Sequence, residues 1–219
     1  MNLPNKITLS RIILILAMII SFFVLAIIEA IPEASFIAPN LGNSPINLVY
    51  FIFAIVFIVA AATDYLDGHL ARKLNLVTDF GKFLDPIADK LLNDAVMIFL
   101  LVPQMYAPLQ RRDPIALAIL MVCVIVMIGR DLVVDALRMI AVKNNVVIAA
   151  NKFGKAKTVL QMIAIPMLLL NDWPFSYFDG SWPEALQVSN LFFYAATAMS
   201  LISGIIYVIQ NKQVFKGDK

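Results

Sequence analysis

Residues 46–89 read INLVYFIFAIVFIVAAATDYLDGHLARKLNLVTDFGKFLDPIAD, and this stretch decides the architecture. About 18 uncharged, mostly apolar residues lead directly into Asp64. A run of that length suits a helix crossing the hydrocarbon core of a bilayer. Nothing breaks it before Asp64, so the same helix carries the acid onward. Asp64 and Asp67 are three apart, and Asp85 and Asp89 are four apart, so each pair shares one face of its helix. The connection between the two helices is short and makes them antiparallel neighbours. Four carboxylates then converge at one membrane boundary.

Outward from this stretch the pattern repeats. The chain has 219 residues, 61% hydrophobic and only 15% charged, which excludes an ordinary soluble domain. Six segments are apolar and long enough, or nearly so, to cross a bilayer: 9–29, 46–69, 83–102, 114–140, 154–171 and 186–210. The third is short because Asp85, Asp89 and Asp94 occupy its first half, and the fifth carries Pro166. Ile12 to Ile28 is too long for a signal-peptide core and reads as a retained transmembrane helix. The expected fold is all-α, a single six-helix integral membrane bundle over residues 1–219. Trp173 and Trp182 mark the stretch from Asn171 to Pro183 as a loop at headgroup level. No basic stretch with interleaved aromatics occurs, so nucleic acid is not an expected partner. The single cysteine, Cys123, has no partner for an internal disulfide and reads as a packing residue.

Six spans put both termini on one side. Lys6, Arg11, Arg72, Lys73, Lys82, Lys143, Lys152, Lys155, Lys157, Lys212, Lys216 and Lys219 then share that side, whereas Arg111 and Arg112 fall opposite. Lys and Arg collect in the cytoplasm. The termini and the acidic stretch are therefore expected to be cytoplasmic.

Four carboxylates at a bilayer edge repel one another, and a charge well inside costs about 2.5–3.5 kcal/mol on translocon scales. Hard divalent cations relieve both problems. Oxygen ligands without Cys or His clusters suit Mg²⁺ or Mn²⁺ rather than zinc. The lone His69 reads as an interfacial or packing residue rather than a ligand. Gly68 and Ala71 would let a ligand approach the helix backbone closely, although helix packing through small residues needs the same thing. Arg72 is suited to bidentate contact with a phosphate, or to anchoring a helix end.

The pattern D-x2-D-G-x2-A-R-x8-G-x3-D-x3-D, filled by Asp64, Asp67, Gly68, Ala71, Arg72, Gly81, Asp85 and Asp89, resembles the signature of the CDP-alcohol phosphotransferases. These are six-helix membrane enzymes. The resemblance implies that Asp64, Asp67, Asp85 and Asp89 hold a pair of Mg²⁺ or Mn²⁺ ions. It also implies that Asp67, Gly68, Ala71, Arg72 and Gly81 shape the site for the nucleotide head of CDP-diacylglycerol. Asp85 and Asp89 are the implied catalytic acids, with Asp89 taking the proton of the attacking hydroxyl.

A second polar set bears on the acceptor. Arg130 and Arg138 are eight apart, about two turns, and share a face of the fourth span. With Lys155 and Lys157 they could form an anion site, which a neutral alcohol would not need. An intramembrane Arg is a functional candidate by default, and a structural pair with Asp131 or Asp135 is the alternative. The N-terminus from Leu3 to Arg11, the Gly81–Lys90 run and Gly154–Thr158 are similar to the phosphatidylglycerophosphate synthase branch of the family. Asp131 stands where that branch leads one to expect Glu. The resemblance implies sn-glycerol 3-phosphate as acceptor, a homodimer among membrane lipids and a bacterial cytoplasmic membrane location. Asn5, Thr8 and Arg11 could border the substrate site, or serve as a helix cap and membrane anchor.

The rivals are a cardiolipin synthase, an inositol-phosphate enzyme, an ion-coupled transporter and a non-catalytic scaffold. A transporter would carry its acids near the midplane, often in paired half-repeats. No internal repeat is visible in this chain.

Overall fold

The described part of each apolar segment is mainly helical. In chain order the elements are α1 (Leu3–Ala30), α2 (Leu48–Lys73), α3 (Asp79–Leu100), α4 (Pro114–Lys143), α5 (Lys152–Leu169), the short α6 (Ser176–Asp179), a 3-10 turn (Glu184–Leu186) and α7 (Val188–Gln210). The computed structural model describes residues 3–30, 41–42, 46–73, 79–101, 113–144 and 152–212. Within the helices, the side chains at 3–4, 25–26, 28–30, 64–73, 79–80, 82 and 143 lie outside the described set. No β-strand occurs among the described residues.

Among the described residues, three helical stretches are long and apolar enough to cross a membrane: Asn5–Val24, Pro114–Val142 and Val188–Gln210. The apolar part of α2, Leu48–Thr63, is shorter because charge begins at Asp64. Acids in α3 and lysines in α5 interrupt those helices in the same way. Ile13, Leu16, Ile20, Phe23 and Ile27 of α1, and Ile115, Val122 and Ile125 of α4, point outward. Such continuous apolar faces belong to a membrane protein.

The chain forms two compact units, one of residues 1–112 and 165–177 and the other of 113–164 and 178–219. In the first, α1, α2 and α3 pack on one another. Phe99, near the end of α3, stacks on Phe22, near the end of α1, with centroids 3.6 Å apart and planes at 7°. Phe99 also meets Phe53 and Tyr50, near the start of α2, at 5.6 and 5.5 Å. At the other end, Thr8 of α1 reaches Asp85 of α3. The helices α1 and α3 therefore run in one direction and α2 against both. The last turns of α2, carrying positions 64–72, thus lie at the Thr8–Asp85 end. Between helices in lipid, close packing replaces water expulsion as the driving force. Buried Ala54, Ala60 and Ala88 permit that approach.

In the second unit α4 packs along α7. Asp113 pairs with Glu184, Arg130 with Ser203 and Arg138 with Tyr207, so these two helices run in the same direction. Pro114 opens α4, where a missing N–H costs nothing. The carboxylate of Glu184 accepts the N–H of Asp113, and Asp179 Oδ2 accepts the N–H of Val188 at 2.9 Å. Helix α5 ends where Asn171 and Asp172 take left-handed backbone angles, φ 54° and 61°. Asn and Asp tolerate that region better than most residues.

Candidate functional site

The first constellation belongs to the α1–α3 unit. Position 85 falls in the second turn of α3, just before Pro86, which has no N–H to complete the helical bond to residue 82. The Asp85 side chain is 44% exposed, so its carboxylate is open to an incoming ligand. Its Oδ1 accepts a hydrogen bond from the Thr8 hydroxyl at 3.1 Å. The Arg11 guanidinium, almost fully buried, lies 3.9 Å from the same oxygen. Asn5, Thr8 and Arg11 are all buried and fall on one face of α1. Thr8 and Arg11 thus bear directly on a motif carboxylate. One turn beyond Asp85, the half-buried Asp89 accepts from Asn93 Nδ2 at 3.0 Å. Gly81 is buried.

Asp64, Asp67, Gly68, Ala71 and Arg72 lie on the helical backbone of α2, as the uninterrupted run implied, but their side chains are outside the described residues. No group of three or more metal-ligating side chains occurs among the described residues, which omit two of the four motif acids. The donors that are described fit a hard cation. Asp85 and Asp89 offer oxygen, and both are only half-buried.

The second constellation belongs to the α4–α7 unit. Arg130 Nη1 donates to Asp131 Oδ1 at 2.8 Å and Nη2 to Ser203 Oγ at 2.6 Å. Lys157 Nζ donates to the other oxygen, Asp131 Oδ2, at 2.6 Å. Lys157 and Arg130 are 6% and 14% exposed. Arg138 Nε donates to Tyr207 Oη at 3.0 Å, with its guanidinium carbon 5.7 Å from the ring centre. Lys155 is exposed. Of the four basic residues singled out from sequence, the structure joins Arg130 and Lys157 through one carboxylate. Arg138 sits on an aromatic ring.

Sequence reasoning did not single out Ser203, Gly204, Tyr207 or Asn93. The available signal was the polar and small residues at helical spacing on α7: Thr197, Ser200, Ser203, Gly204 and Tyr207, all buried. In an otherwise apolar span, such a face marks a partner helix.

Comparison with known proteins agrees in direction. The sequence model described as CDP-alcohol phosphatidyltransferase matches residues 1–206. The CDP-diacylglycerol–glycerol-3-phosphate 3-phosphatidyltransferase of Bacillus subtilis strain 168 is 39% identical, covering 98% of this chain and 97% of the relative. The protein of the same name from Mycoplasma pneumoniae is 36% identical over 98% of this chain and 89% of its own length. A CMP-forming cardiolipin synthase of Oryza sativa is also 36% identical, but over 70% of this chain and 46% of the relative.

Proposed function

We propose that this chain, which belongs to the CDP-alcohol phosphatidyltransferase family, transfers the phosphatidyl group of CDP-diacylglycerol to sn-glycerol 3-phosphate. The products are phosphatidylglycerophosphate and CMP. One observation carries the reading: near-full-length similarity to bacterial enzymes of that name, in a chain holding all eight signature positions from Asp64 to Asp89.

In this reading residues 1–219 form one membrane domain with six spans, cytoplasmic termini and an active site facing the bacterial cytoplasm. The excess of Lys and Arg on one side supports it. Asp64, Asp67, Asp85 and Asp89 hold two divalent cations, Mg²⁺ or Mn²⁺. When bound, these neutralise the pyrophosphate of the donor and the departing CMP. Asp67, Gly68, Ala71, Arg72 and Gly81 receive the nucleotide head. Thr8 and Arg11 steady the Asp85 carboxylate, so that no reorganisation is needed during transfer. The acceptor hydroxyl oxygen bonds to the phosphatidyl phosphorus as the bond to the CMP oxygen breaks. Asp89, oriented by Asn93, takes the hydroxyl proton. Arg130, Arg138, Lys155 and Lys157 receive the acceptor phosphate. We take the working form to be a homodimer among membrane lipids.

The test is purified full-length chain with labelled CDP-diacylglycerol and Mg²⁺, offered glycerol 3-phosphate, phosphatidylglycerol and inositol phosphate in turn. CMP release with glycerol 3-phosphate alone supports the assignment. Preference for phosphatidylglycerol, as in the cardiolipin synthase alternative, would replace the acceptor but keep the chemistry. Absence of CMP release with every acceptor refutes the reading.

A further inference from the structure

Arg130 and Lys157 come from different helices, α4 and α5, and each would retract from the other if left alone. Two cations a few ångströms apart repel, and the repulsion grows as water is excluded. Asp131 removes that conflict by giving one carboxylate oxygen to each, at 2.8 and 2.6 Å. The three charges sum to +1, which still favours an anion. The donors are not exhausted. Arginine carries five N–H donors and lysine three, of which these bonds use a minority. Arg130 Nε is buried with no hydrogen-bond partner among the described residues.

The opposing helix is shaped for the same arrangement. Ser203 accepts from Arg130 Nη2, and Gly204 leaves room for the arginine stem. A Cβ at position 204 would lie 2.8 Å from Arg130 Cγ and 3.5 Å from Nε, too close for the stem to stay. We propose that Asp131 is a positioning residue that holds Arg130 and Lys157 as one two-cation clamp for the phosphate monoester of the acceptor, with Ser203 and Gly204 as the seat of the arginine. The inference rests on the acceptor reading above and adds what makes the pair a site. A phosphate dianion approached by both cations replaces the share of charge each spends on Asp131. A carboxylate that engages both cations at once fixes their separation beforehand, which lowers the ordering cost of binding.

The experiment measures KM for glycerol 3-phosphate and for CDP-diacylglycerol, separately, in the full-length enzyme in mixed micelles with Mg²⁺. Asp131→Asn, which keeps the shape and removes the charge, is expected to raise the glycerol 3-phosphate KM at least tenfold and leave the CDP-diacylglycerol KM within twofold. Asp131→Glu, which retains a carboxylate, should restore most of the loss. Gly204→Ala, which displaces Arg130 without touching its charge, should raise the same KM alone. Equal changes in both KM values, or a fall in kcat alone, would mean general damage and overturn the proposal. Arg130→Ala separates the two levels of the argument. If it raises the acceptor KM while Asp131→Asn does not, the clamp is wrong and the phosphate site stands. If Arg130→Ala leaves that KM unchanged, both fall.

Discussion

The hydroxyl of Thr8 donates to Asp85 Oδ1 at 3.1 Å, joining residues 77 positions apart in the chain. Arg11, one turn further along α1, lies 3.9 Å from the same carboxylate oxygen. The first helix therefore brings two side chains to the Asp85 carboxylate. A hydrogen bond to a charged acceptor contributes about 1.5–3 kcal/mol. Thr8→Val keeps the volume and removes the donor. Turnover should fall roughly tenfold, the equivalent of about 1.4 kcal/mol, with little change in expression. Unchanged turnover would show that Asp85 needs no support from α1.

Asp85 is half-exposed, so a change there should act on chemistry more than on stability. Asp85→Asn removes one anionic ligand from the proposed metal pair. Activity should drop at least a hundredfold, or about 2.7 kcal/mol, while the thermal midpoint shifts little. Chelation with EDTA should abolish CMP release from the unmodified enzyme, and Mg²⁺ should restore it. Full activity in excess EDTA would remove the metal from the proposal.

Phe99 touches three aromatic rings, those of Phe22, Phe53 and Tyr50, and so joins α3 to α1 and α2. Phe→Ala in a packed core costs about 3–5 kcal/mol. For a chain of this size each kcal/mol moves the midpoint roughly 2–4 °C. Thermal unfolding of Phe99→Ala in detergent should begin several degrees lower, and Phe99→Leu should recover part of the loss. A midpoint equal to that of the parent would mean that these rings add no stability.

Glu184 accepts the N–H of Asp113 at the mouth of α4, where the first backbone donors have no helical partners. Glu184→Ala frees that donor. Amide exchange at Asp113 should quicken and the midpoint should drop by a few degrees, with both substrate KM values preserved. Altered KM values would instead tie this turn to the active site.

Much of this molecule follows from local chemistry. Uncharged runs long enough to span lipid become helices because a backbone in hydrocarbon must satisfy its own hydrogen bonds. The spacings Asp64–Asp67 and Asp85–Asp89 place acids along helices as soon as those helices exist. Tertiary structure alone decided which distant groups meet. Thr8 meets Asp85 because α1 and α3 run in the same direction, and Phe22 on Phe99 keeps them so. Sequence spacing put Arg130 and Arg138 on one face, and both reach α7, Arg130 to Ser203 and Arg138 to Tyr207, while Arg130 also turns to Asp131. A long basic side chain settles on the hydrogen-bond acceptors within its reach, and these lay on another helix or on the neighbouring residue. The periodicity of α4 carries no record of where α5 and α7 place Lys157, Ser203 and Tyr207.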